Sequence, residues 1–496
     1  MTVREQFNAI ASRRIMILDG AMGSMIQAWR SQDNKPLEEK DFRGDLFAGH
    51  PKSLRGCNDV LCLTRPDIIT GIHEAYLEAG ADIIETCSLN STSVGLADYG
   101  LEKHAFEISR AAASLARKAA DKYTATDKDK PRFVAGSMGN TPRSAVFTPD
   151  MDNPGMRQVT WDELEAAYYE NARGLVEGGA DFLLIETIFD GLNAKAALAA
   201  IGRLAVRLGR DVPAMVCATV TENGRLLTGQ TVQAFCASML HANPLSLGLN
   251  CSFGIDKLRS PLEKIAAFIP CPVIFYPNAG MPDSCGHYSD TPDIMAAAAD
   301  LIMKSGLVNI IGGCCGSTPA HIAAIAKNAQ NFKPREFFTA NRTKGMHTNK
   351  IVLGNKQIFA GTQIHEISLD KNYLLTVSNK IFGNVPWQTV LDNGNFEEAI
   401  EIARETAEKD LQFLAVCTDK APDPLAAARN FIFLASAYSD LAVFPVFIKS
   451  SRWDVIEEGF KCFQGCGLYM YTGTPAGEAD AIKEHEIYRC FGAVRV

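Results

Sequence analysis

The sequence predicts an α/β protein: an N-terminal (β/α)8 TIM barrel followed by a second, smaller α/β unit. Three observations predict it. Eight short apolar runs recur through residues 1–330, amphipathic stretches at helical spacing separate them, and polar residues stand at the C-terminal end of most runs. Strands buried on both faces of a parallel sheet read as continuous apolar runs. Eight strand–helix repeats close into a barrel. An open doubly wound sheet is the alternative, but no GxGxxG or GxxxxGKS/T loop follows any run.

The runs are IMILD at 15–19, IIET at 83–86, FVAGS at 133–137, FLLIET at 182–187, AMVCATV at 214–220, LSLGLN at 245–250, PVIFYPN at 272–278 and VNIIGG at 308–313. Between them, Thr160 and Glu163 form a capping box ahead of AAYYENARGLVEGG. Thr318 followed by Pro319 reads as an N-cap with proline in the first helical position. RPDIITGIHEAYLEAG and DGLNAKAALAAIGRLAV carry apolar faces of the same period. Residues 28–62 are polar and weakly periodic, and read as a long loop forming a lid or wall over the barrel mouth.

Bulk properties narrow the function classes. A chain of 496 residues exceeds one ordinary core. The net charge of −8, with no basic run interleaved with aromatics, gives no nucleic-acid footprint. No run approaches a membrane span, and the N-terminus lacks signal-peptide organisation. The fourteen cysteines sit mostly in apolar strands and helices, which fits reduced thiols and a cytoplasmic location, with metal binding left open.

Chemistry in such a barrel gathers at the C-terminal strand ends. Here those ends read Asp19-Gly20, Glu85-Thr86, Gly136 to Asn140, Glu186-Thr187, Asn250-Cys251, Pro277 to Gly280, and Gly312-Gly313-Cys314-Cys315-Gly316. Strands six and eight flank strand seven, so Cys251, Cys314 and Cys315 are expected to converge. Three thiolates and an open position make a catalytic zinc set. A core thiol at Cys251, or a strained Cys314–Cys315 disulfide, are the competing readings. Cys285 and His287 read as loop residues, and Cys62, Cys217, Cys236 and Cys271 as packing.

ILDGAMGSMIQ, EAYLEAGADIIET, DFLLIETIFDGLNAKAAL, TGQT, GLNCSFG, YPNAGMPD and NIIGGCCGSTPAHIAAIA, in that order, closely resemble the homocysteine-binding module of cobalamin-dependent methionine synthase. The resemblance implies a zinc-dependent methyltransferase that converts homocysteine to methionine. It implies Cys251, Cys314 and Cys315 as zinc ligands, and Asn278 as the group holding the fourth position before substrate. Asp19 and Glu186 would meet the substrate ammonium, and donors near Gly20, Gly136 and Ser137 its carboxylate. Two stretches depart from the family: Cys87-Ser88-Leu89 replaces Asn-Thr-Phe, and Gly136-Ser137-Met138-Gly139-Asn140-Thr141 replaces a GxLGPT-like motif.

Residues 331–350 read as a linker, and 351–496 as a second domain. EEAIEIARETAEKD and KSSRWDVIEEGFKCFQG resemble the methyltetrahydrofolate-binding barrel of the same enzyme, in a truncated and degenerate form. Thr362-Gln363-Ile364-His365-Glu366 stands in place of GERTN, Ala415 and Cys417 replace pterin-binding Asp and Asn, and a buried Lys449 replaces a carboxylate. The downstream Asn is lost around Met470, and the chain ends near the middle of that barrel, leaving an open edge strand. Folate binding is therefore not expected. Cys462 and Cys466 read as packing in helix-like sequence.

No DxHxxG cobalamin-binding stretch is present. The expected donor is methylcobalamin, supplied from outside the chain by a separate corrinoid protein. The rivals are S-methylmethionine or betaine as donor, and a non-catalytic zinc- or thiol-binding partner protein.

Overall fold

The computed structural model describes residues 1–337 except 151 and 154, and residues 352–353, 356–368, 382 and 385–496. Most of the expected 331–350 linker lies outside the described residues. Eight parallel strands form the first sheet: β1 Met16–Ile17, β2 Ile83–Glu85, β3 Phe133–Gly139, β4 Phe182–Ile188, β5 Ala214–Ala218, β6 Ser246–Cys251, β7 Val273–Pro277 and β8 Ile310–Ile311. Each overlaps one of the eight apolar runs, with β3, β4 and β6 extending one or two residues past the end of theirs. β1 pairs with β8 through Met16–Ile310 and Ile17–Ile311. The ring is completed by a single parallel bridge between Leu18 and Ile83, with Asp82 N–H bonded to Ile17 O at 2.7 Å and Asp19 N–H to Ile83 O at 3.0 Å.

The helices between strands form the outer layer. Thr160 and Glu163 make the reciprocal capping box at the start of Trp161–Glu177, and Thr318 caps Pro319–Ala329 with proline in its first turn. The floor of the barrel is closed by the N-terminal helix Val3–Ala11, whose Phe7 packs edge-on against Phe133 and Phe182 at 6.2 and 5.6 Å. Lumen residues Met16, Leu18, Leu184, Met215 and Ile274 complete that inner cluster. With the floor filled, only the opposite, C-terminal end is left for a ligand.

Residues 28–62 are more structured than their weak periodicity predicts. They hold the short helix Glu39–Arg43 and bury Leu37, Phe42, Phe47 and Leu54. Glu39 ties the segment together by accepting from Arg43, Ser53, and the N–H groups of Leu54 and Arg55. These bonds hold its carboxyl down at about 2.

The second unit holds a three-stranded antiparallel sheet, β9 Val352–Leu353, β10 Lys356–Ala360 and β11 Ile364–Ser368. It also holds a four-stranded parallel sheet in the order β12 Leu414–Val416, β13 Val446–Ser450, β14 Leu468–Tyr471 and β15 Val494–Arg495. Two sequence expectations need correction here. Lys449 is half-buried, with Nζ 5.3 Å from the Phe382 ring centroid, because it points out of the sheet at the end of β13. Cys466 lies beyond the helix Trp453–Lys461 in extended chain bridged to Ala360, although it and Cys462 are buried as expected.

This unit is docked onto the barrel. Thr231 N–H bonds to Thr362 O at 2.9 Å, Gln464 Nε2 to Thr228 O at 3.2 Å, and Lys461 pairs with Asp162 at 2.8 Å. Among the described residues no helix is long and apolar enough to cross a membrane.

Candidate active site

The last residues of β6 and the turn after β8 bring three sulfurs together. The Sγ atoms of Cys251, Cys314 and Cys315 all lie within 4.8 Å of one another, and Cys251 and Cys315 are 3.9 Å apart. Two thiolates on one tetrahedral zinc, with bonds of about 2.3 Å, stand about 3.8 Å apart. The pocket geometry therefore fits such an ion. All three are free thiols, so the adjacent Cys314–Cys315 disulfide is not formed. Thiol hydrogen bonds from Cys251 and Cys314 pull the Cys315 thiol well below the usual range.

Backbone strain fixes this placement. Cys251 and Ser252 have φ of 58° and 66°, and Thr187 on β4, two strands away, has 55°. Non-glycine residues in this region cost about 1–3 kcal/mol each and persist only where their surroundings enforce them. The Asn250 side chain supplies part of that enforcement: Oδ1 accepts from Thr187 N–H at 2.9 Å, and Nδ2 donates to Thr187 Oγ1 at 2.8 Å. Its Nδ2 also lies 4.0 Å from Cys314 Sγ. On the other side, Ser252 Oγ bonds Thr219 and accepts from Val220 N–H at 2.9 Å.

Three carboxylates face the sulfurs. Asp19 lies just past β1, Glu85 ends β2, and Glu186 lies near the end of β4. Asp19 Oδ2 accepts from Glu85 N–H at 3.0 Å. Asp19 Oδ1 and Glu85 Oε1 are buried without a hydrogen-bond partner. Glu186 accepts from Ser137 and, at 3.1 Å, from Tyr276 on β7. Burial pushes all three carboxyls upward, Glu186 to about 7, with mutual repulsion adding to Asp19 and Glu85. Two orphaned acceptor oxygens in one buried pocket suit a cationic group arriving from solvent.

Asn278 follows β7, buried, with Oδ1 also lacking a partner. Gly20 sits where a Cβ would meet Ser317 Oγ at 2.7 Å and the Tyr76 ring at 2.9 Å, so the chain passes there only without a side chain. At Gly136 the Cβ direction meets Leu183 and Leu175, in the layer between strand and helix, so it offers the cluster no side-chain position. Strand residues alternate faces, so Ser137, which points inward, and Gly136 cannot both line the pocket with their side-chain positions. Ser137 is itself engaged by Glu186. Sequence reasoning placed Glu85, Thr187 and Asn250 at the polar strand ends without giving them a role, and it missed Tyr276. Glu85 had a usable signal, since it ends an apolar strand run as Asp19 and Glu186 do.

Solved structures of the homocysteine methyltransferase MmuM from Escherichia coli are similar to this chain. The oxidized form is 24% identical, with TM-score 0.48, over 63% of this chain and 95% of that one. The metallated form is 23% identical, with TM-score 0.47, over 64% and 98%. The family model for homocysteine S-methyltransferase matches residues 16–329, which span the whole eight-stranded barrel and every residue of the cluster. The chain is a methyltransferase belonging to the homocysteine S-methyltransferase family.

Proposed function

We propose that this protein is a zinc-dependent homocysteine S-methyltransferase that forms methionine, with the methyl group supplied by methylcobalamin on a separate corrinoid protein. The observation that carries the reading is one pocket pairing three converging thiols with three buried carboxylates. Cys251, Cys314 and Cys315 would hold the zinc, and the Asn278 amide oxygen is a neutral donor for the fourth position, readily displaced by substrate sulfur. Bound zinc keeps the substrate thiol in its thiolate form at neutral pH.

The chain's own groups do the rest. Asp19, Glu85 and Glu186 collect the substrate ammonium, and its arrival favours their ionised forms. Ser137 and Tyr276 keep Glu186 oriented. The substrate sulfur attacks the methyl carbon as the bond to the donor breaks, and the thiol proton leaves to solvent. No general base at the methyl carbon is needed.

Residues 1–330 are assigned to catalysis, 331–350 to the connection, and 351–496 to support of the barrel. The motifs resembling the cobalamin enzyme favour methylcobalamin over S-methylmethionine or betaine. The test is methionine formation from homocysteine by the zinc-loaded protein, with each donor supplied alone. Turnover with methylcobalamin, free or carrier-bound, is expected. Turnover with only S-methylmethionine or betaine would overturn the donor, and homocysteine binding without turnover on any donor would favour a non-catalytic thiol-binding role.

A further inference from the structure

The segment leading from Asn278 to the helix Pro292–Lys304 contains a hairpin outside the site above. Pro282 and Tyr288 pair as an antiparallel bridge, and Asp283 N–H donates to His287 O at 2.8 Å. Gly286, at φ 82°, makes the turn that residues with side chains rarely adopt. Asp283 Oδ1 accepts from the N–H groups of Cys285 and His287 at 2.8 and 2.9 Å. Its Oδ2 is left facing His287 Nδ1 at 3.6 Å, longer than a hydrogen bond.

The result is a mixed donor set. The ligand atoms of Asp283, Cys285 and His287 lie within 4.8 Å of one another, all exposed, and the Cys285 thiol is free. A carboxylate oxygen, a sulfur and an imidazole nitrogen together suit borderline divalent ions such as zinc, cobalt(II) or nickel(II). Magnesium and calcium prefer oxygen donors throughout. We propose that the 283–287 hairpin is a second metal site, taking one borderline divalent cation at the barrel rim with water completing its shell. The adjacent Tyr288 packs its ring against Gly316, the residue after Cys315, so this site stands beside the three-thiol cluster without sharing a ligand with it.

The test is a cobalt(II) titration of the full chain, followed by equilibrium dialysis and thiolate-to-cobalt absorption. Wild type should take up two equivalents, one weaker than the other. The Cys285→Ser/His287→Ala double variant should lose only the weaker equivalent and keep its circular dichroism and methyl transfer. Retention of two equivalents by the double variant overturns the proposal, as does a single equivalent in wild type that the variant keeps. Displacement of the weaker equivalent by equimolar magnesium would overturn the class of ion. Failure of the three-thiol reading looks different: Cys251→Ser would then keep both equivalents.

Discussion

The Nζ of Lys195 lies 2.6 Å from the carbonyl oxygen of Gly465, joining a helix of the barrel to the turn before β14. It also donates to Phe463 O at 2.9 Å and is fully buried. A lysine without solvent is tolerable here only because two main-chain acceptors surround it.

Replacing Lys195 with Met leaves those carbonyls without donors. The expected loss is about 1–3 kcal/mol in denaturant unfolding at pH 7. The loss should grow with pH. Burial pushes Lys195 from 10.5 down to about 7. Below that value both folded and unfolded chains carry the charge, and the burial cost is full. Between 7 and 10.5 the folded chain sheds its proton first, so wild-type stability gains an increment that the variant lacks. An equal difference at pH 6 and pH 9 would contradict this.

Cys251→Ser should lose stoichiometric zinc and methyl transfer together. Turnover should fall by more than the roughly 10- to 100-fold typical of an outer-shell change. Metal analysis beside circular dichroism checks it, and zinc retained in full would rule Cys251 out as a ligand.

Glu85→Gln keeps the shape of the pocket and removes one negative charge. If Glu85 helps hold the ammonium, KM for homocysteine should rise about 10- to 100-fold with kcat little changed, the value of a hydrogen bond to a charged group. A fall in kcat at unchanged KM would assign Glu85 elsewhere.

The second unit should not bind methyltetrahydrofolate. The position where the sequence resemblance to a pterin-binding barrel implies a carboxylate holds Lys449, set against Phe382. Saturable binding at micromolar concentration by calorimetry would refute this.

Periodicity carried most of the barrel. Each apolar run became a strand because parallel strands are buried on both faces and tolerate little polarity. The cysteines were legible because strand order alone makes β6 and β8 flank β7. At Gly136 and Ser137 the two-residue alternation sends the side-chain positions to opposite faces, so only Ser137 can offer a side chain to the pocket and Gly136 only its backbone. Glu85 was read as a polar strand end inside the EAYLEAGADIIET motif but given no role, because nothing in the sequence shows that its carboxylate stands beside Asp19. Residues 28–62 hid their helix because its stability rests on one carboxylate, Glu39, gathering distant donors rather than on an apolar stripe. β10 and β11 escaped prediction because their pairing is a local antiparallel hairpin that does not follow the parallel pattern.

The thin closure between β1 and β2 has a mechanical consequence. One bridge, Leu18 to Ile83, clasps the hoop, and Asp19 and Glu85 stand directly above it on opposite sides. A cation gripped by both acids would act as a rivet through the clasp. Occupancy by an amino-acid substrate should therefore tighten the ring far below the reacting sulfur, slowing exchange of the Asp19 and Asp82 amide hydrogens that cross the join.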